Sequence, residues 1–195
     1  MIRPLITRKG LFAALVLSGT LGAAARAEVN PEYQSWSKCK PGATVKIAGT
    51  SEAMGQKSSQ TITTKLLELT PEKAVVESSV SIDMMGQTMN QPAVKRDVPA
   101  AVTPPDTSKL DPAVAEKIKA AIKDVKKGEE TITVAGKSYK CTTTEAASDA
   151  NGMKSVTKSW NSAEVPGGMV KVEVSTTGQM TSKSTMELVE FTNGN

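Results

Sequence analysis

Apolar and polar residues alternate along most of the chain. Ala74, Val76, Val80, Ile82 and Met84 share one parity, and Val170, Val172 and Val174 repeat the pattern further on. A period of two is the signature of strands that bury one face. Turn residues punctuate the alternation at Gly55-Gln56, Gly86-Gln87, Gly136-Lys137, Asn151-Gly152 and Gly178-Gln179. Glycine and asparagine supply the positive φ values that tight hairpins demand. The pattern predicts a meander of long antiparallel hairpins.

One segment departs from it. After a Pro-rich crossover over 99–110, Asp111-Pro112 forms an N-cap and first-turn pair, and Val114, Ile118, Ala121, Ile122 and Val125 recur at helical spacing. This predicts an amphipathic helix over about 111–127. Lys126 and Lys127 are placed in its last turn, where cations complement the helix dipole, with Gly128 as the stop. A lone helix of this length is marginal in water, so its apolar stripe is expected to lie on the sheet.

Pro41-Gly42-Ala43-Thr44-Val45-Lys46-Ile47 is similar to Pro166-Gly167-Gly168-Met169-Val170-Lys171-Val172, each preceded by a tryptophan, Trp36 or Trp160. Each leads through a Gly-Gln turn to a strand ending Leu66-Leu67-Glu68-Leu69 or Leu188-Val189-Glu190-Phe191. Adjacent apolar residues break the alternation in both endings, as a β-bulge would.

Residues 1–27 read as a cleaved export signal: Arg3, Arg8 and Lys9, an apolar stretch from Leu11 to Leu21, and Ala25-Arg26-Ala27 fitting the A-x-A cleavage rule. The apolar stretch is about eleven residues, short of the roughly 20 that span a bilayer as a helix. Residues 28–195 are then expected to form a single β-rich domain, periplasmic or secreted, with no membrane span. Four of the 24 basic residues and none of the 20 acidic ones precede residue 28, so the remainder is charge-balanced. Arg96 is its one arginine. Nucleic acid is therefore not an expected partner.

Cys39 and Cys141 are the two cysteines. In an oxidising compartment two thiols tend to pair, and a Cys39–Cys141 disulfide is the expectation. Closing a loop of about 100 residues is worth on the order of 4 to 5 kcal/mol in the chain-entropy account.

The chain has no histidine. Ser-His-Asp and Cys-His catalysis are thereby excluded, and the commonest zinc ligand is missing. The acidic residues are spread through alternating segments beside lysines, the pattern of a solvated sheet face. The glycines form neither a phosphate loop nor a dinucleotide fingerprint. No cofactor is implied. Met84, Met85 and Met89 cluster, with Met54 on a neighbouring strand. Methionine commonly fills irregular gaps in a core short of aromatics, and the more specific alternative is a soft-ligand site for copper.

The order of a long meander, a central Pro-rich crossover with one helix, and further hairpins resembles the half-barrel of the LolA/LolB-like superfamily of exported bacterial envelope proteins. The stretch Ile132-Thr133-Val134-Ala135-Gly136-Lys137-Ser138-Tyr139-Lys140-Cys141 is similar to hairpin patterns of that type. So is Trp160 to Met169, with Val165-Pro166-Gly167-Gly168. The resemblance implies a mainly β fold: a strongly curved antiparallel sheet, half-barrel or open barrel, with one central α-helix packed on it. The leading functional expectation is a non-catalytic envelope protein that binds or carries a lipid or other apolar ligand on the concave face. Val76, Val80, Ile82, Met84, Val114, Ile118 and Ile122 are the expected lining, or simply core if the barrel is filled. The alternatives are a structural or protein-interaction module that engages an envelope protein, and a methionine-based copper binder.

Overall fold

The alternating segments do form strands, and they pair with their neighbours in the chain. The computed structural model describes residues 28–84, 86–102, 125–150, 152–178 and 181–194. In chain order the elements are β1 (Glu28–Val29), α1 (Pro31–Trp36), β2 (Thr44–Ala53), β3 (Gln56–Leu69), β4 (Lys73–Met84), β5 (Gln87–Pro99), β6 (Ala101–Val102), β7 (Lys126–Val134), β8 (Lys137–Ala150), β9 (Met153–Asn161), β10 (Met169–Thr177) and β11 (Ser182–Thr192). Two antiparallel meanders, β2 to β5 and β7 to β11, join where β2 pairs with β11. The result is a nine-stranded sheet ordered β5-β4-β3-β2-β11-β10-β9-β8-β7, open in its hydrogen bonding, with β5 and β7 as edges among the described residues. A two-stranded ribbon, β1 with β6, stands beside it.

Two hairpin turns fall one residue earlier than the glycine positions suggested. Ala53 pairs with Gln56, and Val134 with Lys137, leaving Met54-Gly55 and Ala135-Gly136 as two-residue loops. All four residues have positive φ. Only a turn of this hand matches the right-handed twist of the strands, so an alanine and a methionine accept a conformation that otherwise favours glycine. Register shifts at Leu66/Glu68 and Leu188/Glu190 sit where the alternation breaks in the sequence. Edge strand β5 is irregular between Gln91 and Val94, and Pro92, which has no N–H to give, lies in that gap.

The core gathers at one end of the sheet. Val45 and Ile47 open β2, Leu66 lies near the end of β3, Ala74 and Val76 open β4, Val98 closes β5, and Leu188 lies near the end of β11; all are buried. Short helix α1 supplies the largest anchor, Trp36, which is fully buried. Gly167 lies against its indole: a Cβ there would stand 3.5 Å from the ring. The sequence reading missed α1, although its signal is present. Asn30 caps it by accepting from the Glu32 N–H (3.0 Å), and Pro31 follows in the first turn. The helix is tied down by Asn30 Nδ2 donating to Pro99 O (2.9 Å) and Tyr33 Oη donating to Thr70 O (2.6 Å). Arg96 also grips the Glu32 carboxylate through both guanidinium nitrogens.

The expected central helix lies largely outside the described residues, but its expected C-terminal end does not. Lys126, Lys127 and Gly128 are the first residues of β7, paired with Glu145, Thr144 and Thr143. Local capping signals gave way to strand pairing here: Lys126 meets Glu145 (3.7 Å), and Gly128 leaves space above Thr143, whose Oγ1 a Cβ would approach to 3.0 Å.

Candidate functional site

On β4, Val76, Val80, Ile82 and Met84 occupy alternate positions and share one face of the sheet. The register extends that face across the neighbouring strands. Val80 lies opposite Ile62, Ile62 opposite Ile47, and Ile47 opposite Leu188. In the next row Ile82 lies opposite Gln60, Gln60 opposite Gly49, Gly49 opposite Met186, and Met186 opposite Val172. Gly49 has a packing reason: a Cβ there would meet Met186 Cγ at 2.7 Å, so the methionine lies over the glycine. Gln60 Nε2 then donates to Met186 Sδ at 3.3 Å. Ile62, Val80, Ile82, Val172 and Met186 are each half-buried. The result is an apolar band across β4, β3, β2, β11 and β10.

The expected lining residues divide along this band. Val76 is fully buried in the core, with no surface left for a ligand. Val80 and Ile82 are half-buried, and Met84 is exposed. Val114, Ile118 and Ile122 lie outside the described residues. Sequence reasoning found the β4 side of the band and missed Ile62, Val172 and Met186, whose neighbours are set by long-range pairing.

On the opposite face the charged side chains around Trp160 are internally paired. Lys171 sits between Glu187 (2.7 Å) and Glu173 (3.0 Å), and Lys158 binds Glu130 (2.7 Å). In the same row as Thr143 of β8 and Gly128 of β7 lies Trp160. Its Nε1 donates to Glu130 Oε2 at 2.7 Å, and the Lys158 ammonium stands 4.6 Å from its ring centre. The Glu130 carboxyl is held below its ordinary value, first by the hydrogen bond from Lys158 and then by that from Trp160. A carboxylate committed to two donors is a structural clasp and supplies no free base.

The expected disulfide is not present. Cys39 and Cys141 are separate buried thiols. Cys39 Sγ lies 3.7 Å from Ser35 O and 3.8 Å from Asn193 Oδ1, and Cys141 Sγ lies 3.7 Å from Tyr139 O. Both belong to the apolar core cluster, one in the loop after α1 and the other on β8. Their sequence separation said nothing about whether the two sulfurs meet, and packing as small apolar side chains is what the fold gives them. Burial pushes both thiols above their ordinary range.

A cleft of about 310 Å³ opens beside Cys39, Lys38, Lys137, Glu164 and Phe191. Its charges are already engaged: Lys38 Nζ donates to Ala163 O (3.0 Å), and Lys137 pairs with Glu164 (3.5 Å). Among the described residues no three His, Cys, Asp or Glu are grouped to hold a metal ion, and no helix is long and apolar enough to cross a membrane.

No protein-family model and no curated protein matches this chain. Among solved structures it is similar to a protein described as exported, with a YmcC-like fold, from Bacteroides fragilis NCTC 9343. That likeness has 10% identity and a TM-score of 0.44, and covers 79% of this chain and 97% of that one. A protein described as a lipoprotein from Parabacteroides distasonis ATCC 8503 is similar at 14% identity and a TM-score of 0.45, over 78% of this chain and 96% of that one. A LolA superfamily protein from Nitrosomonas europaea is similar at 10% identity and a TM-score of 0.23, over 85% of this chain and 93% of that one.

Proposed function

We propose that the protein is exported and non-catalytic, and that the apolar band of its sheet receives an apolar ligand of the acyl-chain kind. The observation that carries this reading is the apolar band itself: half-buried Val80 and Ile62 in one row with core residues Ile47 and Leu188, and half-buried Ile82, Met186 and Val172 in the next. One further feature supports it. Cα atoms of β7 and β11 come within 8 Å, although four strand spacings, about 19 Å, would separate them in a flat sheet. That approach fits a sheet curled enough to enclose a groove. The export signal in residues 1–27 and the lack of histidine agree with a binding scaffold in the periplasm or outside the cell.

The test is binding of a fluorescent long-chain fatty acid, with native mass spectrometry of gently purified protein as a search for retained lipid. Val80→Asp and Ile82→Asp are each expected to weaken probe binding by about tenfold or more, since a charge in the band must be desolvated. A wild-type protein that ignores the probe, or variants that bind it equally well, would overturn the reading. A protein-interaction role through exposed edge strand β5 is the reading such a result would favour.

A further inference from the structure

Methionines in a chain with so few aromatics are expected to fill the core. Among the described residues the structure assigns most of them elsewhere. Of the six described after residue 27, only Met169 and Met186 pack against the core cluster. Met54, Met84, Met89 and Met153 are 77%, 44%, 51% and 37% exposed. All four lie at the hairpin tips, at the end of the sheet remote from the core: Met54 in the β2–β3 turn, Met84 ending β4, Met89 near the start of β5, and Met153 starting β9.

Two of them are brought together by register. Met84 lies opposite Gln87 and Ile82 opposite Met89, so Met84 and Met89 are diagonal neighbours on one face of adjacent strands. Diagonal neighbours have Cα atoms roughly 7 to 8 Å apart, within reach of long side chains. Methionine is unbranched, so its thioether can swing to meet another. The residues beside the pair on that face are neutral: Gln87 across β5, Ser58 across β3, and Ile82 and Gln60 in the next row. The nearest carboxylate along the strand, Asp83, is on the other face, where it accepts from Thr88. Strand order sets the β2–β3 tip, with Met54, beside this hairpin.

Soft, neutral thioethers without a hard carboxylate favour a soft monovalent cation over zinc, calcium or magnesium. We propose that Met84 and Met89 form a thioether site for copper(I). This site is separate from the apolar band and does not depend on the ligand proposed for it. No electron is transferred on binding; the ion enters and leaves as copper(I).

Two measurements test it. In the mature chain carrying Cys39→Ala and Cys141→Ala, so that no thiol competes, silver(I) is the air-stable probe, and anaerobic copper(I) is titrated against a chromophoric chelator. One ion per chain is expected. Met84→Leu with Met89→Leu keeps apolar bulk but removes sulfur, and is expected to weaken binding by about tenfold or more. The pair Met169→Leu with Met186→Leu removes as many thioethers and is expected to bind as the parent does. Equal binding by the Met84/Met89 pair, equal loss in the Met169/Met186 pair, or no binding by the parent overturns the proposal. The natural sequence supplies the second measurement, should any variant lose its circular dichroism spectrum. On silver(I) addition its methionine methyl resonances are expected to shift at Met84 and Met89, and shifts confined to other methionines overturn the proposal equally.

Discussion

The two ends of the nine-stranded sheet are built from the same alternating strands, yet they carry different loads. At the packed end Trp36, Leu66, Val76, Val98, Val165 and Val170 are all but fully buried. At the tip end Met54, Met84, Met89 and Met153 stand in solvent. Apolar burial is the main favourable term in folding, so stability is concentrated where α1 and the β9–β10 loop close over the sheet. The tips are held by hairpin hydrogen bonds and turns. That division frees the tip end and the adjoining band to vary in chemistry without unfolding the molecule.

Substitutions at the two ends are the sharpest way to break this comparison. Trp36→Ala is expected to cost about 3 to 5 kcal/mol in chemical denaturation, because it empties the centre of the core. Leu66→Ala should cost about 2 to 5 kcal/mol, while Met153→Ser at a tip stays within about 0.5 kcal/mol. A tip substitution as costly as either core change would end the distinction.

A smaller effect is expected at the clamp on α1. The Arg96 and Glu32 side chains are 49% and 32% exposed, so their coupling should come to about 0.2 to 1 kcal/mol in a double-mutant cycle of Arg96→Gln and Glu32→Gln. The two thiols report the packed end without any substitution. Both are buried, with ionisation suppressed, so a maleimide at mildly alkaline pH should label neither in the native protein and both after denaturation without reductant. No label after denaturation would reveal a bond between them.

The smallest expected effect is that of pH on the Trp160 clasp. The Glu130 carboxyl is depressed below its ordinary value of 4.5, so its contribution is fully present above that value and is lost as pH falls through the lower folded-state value. The Trp160 indole N–H resonance should follow this titration with a midpoint below 4.5. Lys158→Met should move the midpoint upward, and an unchanged midpoint would show that Lys158 is not the main cause.

Much of the fold was legible because strands record their environment locally. The period-two runs marked β4 and β10, and the doubled apolar residues at Leu66-Leu67 and Leu188-Val189 marked two bulges. Asn30-Pro31-Glu32 was also legible, as an N-cap and a proline at the helix start, and was passed over because six residues leave no periodicity to read. The end of the expected helix failed for the opposite reason. Lys126-Lys127-Gly128 looks like a helix terminus in isolation, and only its pairing with β8 makes it strand.

By itself, the sequence determined strand content, turn positions to within a residue, charge balance beyond residue 27 and the exclusion of histidine chemistry. These follow from residue type and short-range spacing. Tertiary structure alone decided which residues meet: that Val76 is core while Val80 and Ile82 lie in a half-buried band, that the two cysteines stay apart, and that exposed methionines stand at the hairpin tips. The physical reason is that contacts between strands distant in the chain depend on the register of the whole sheet. No local run of residues encodes that register.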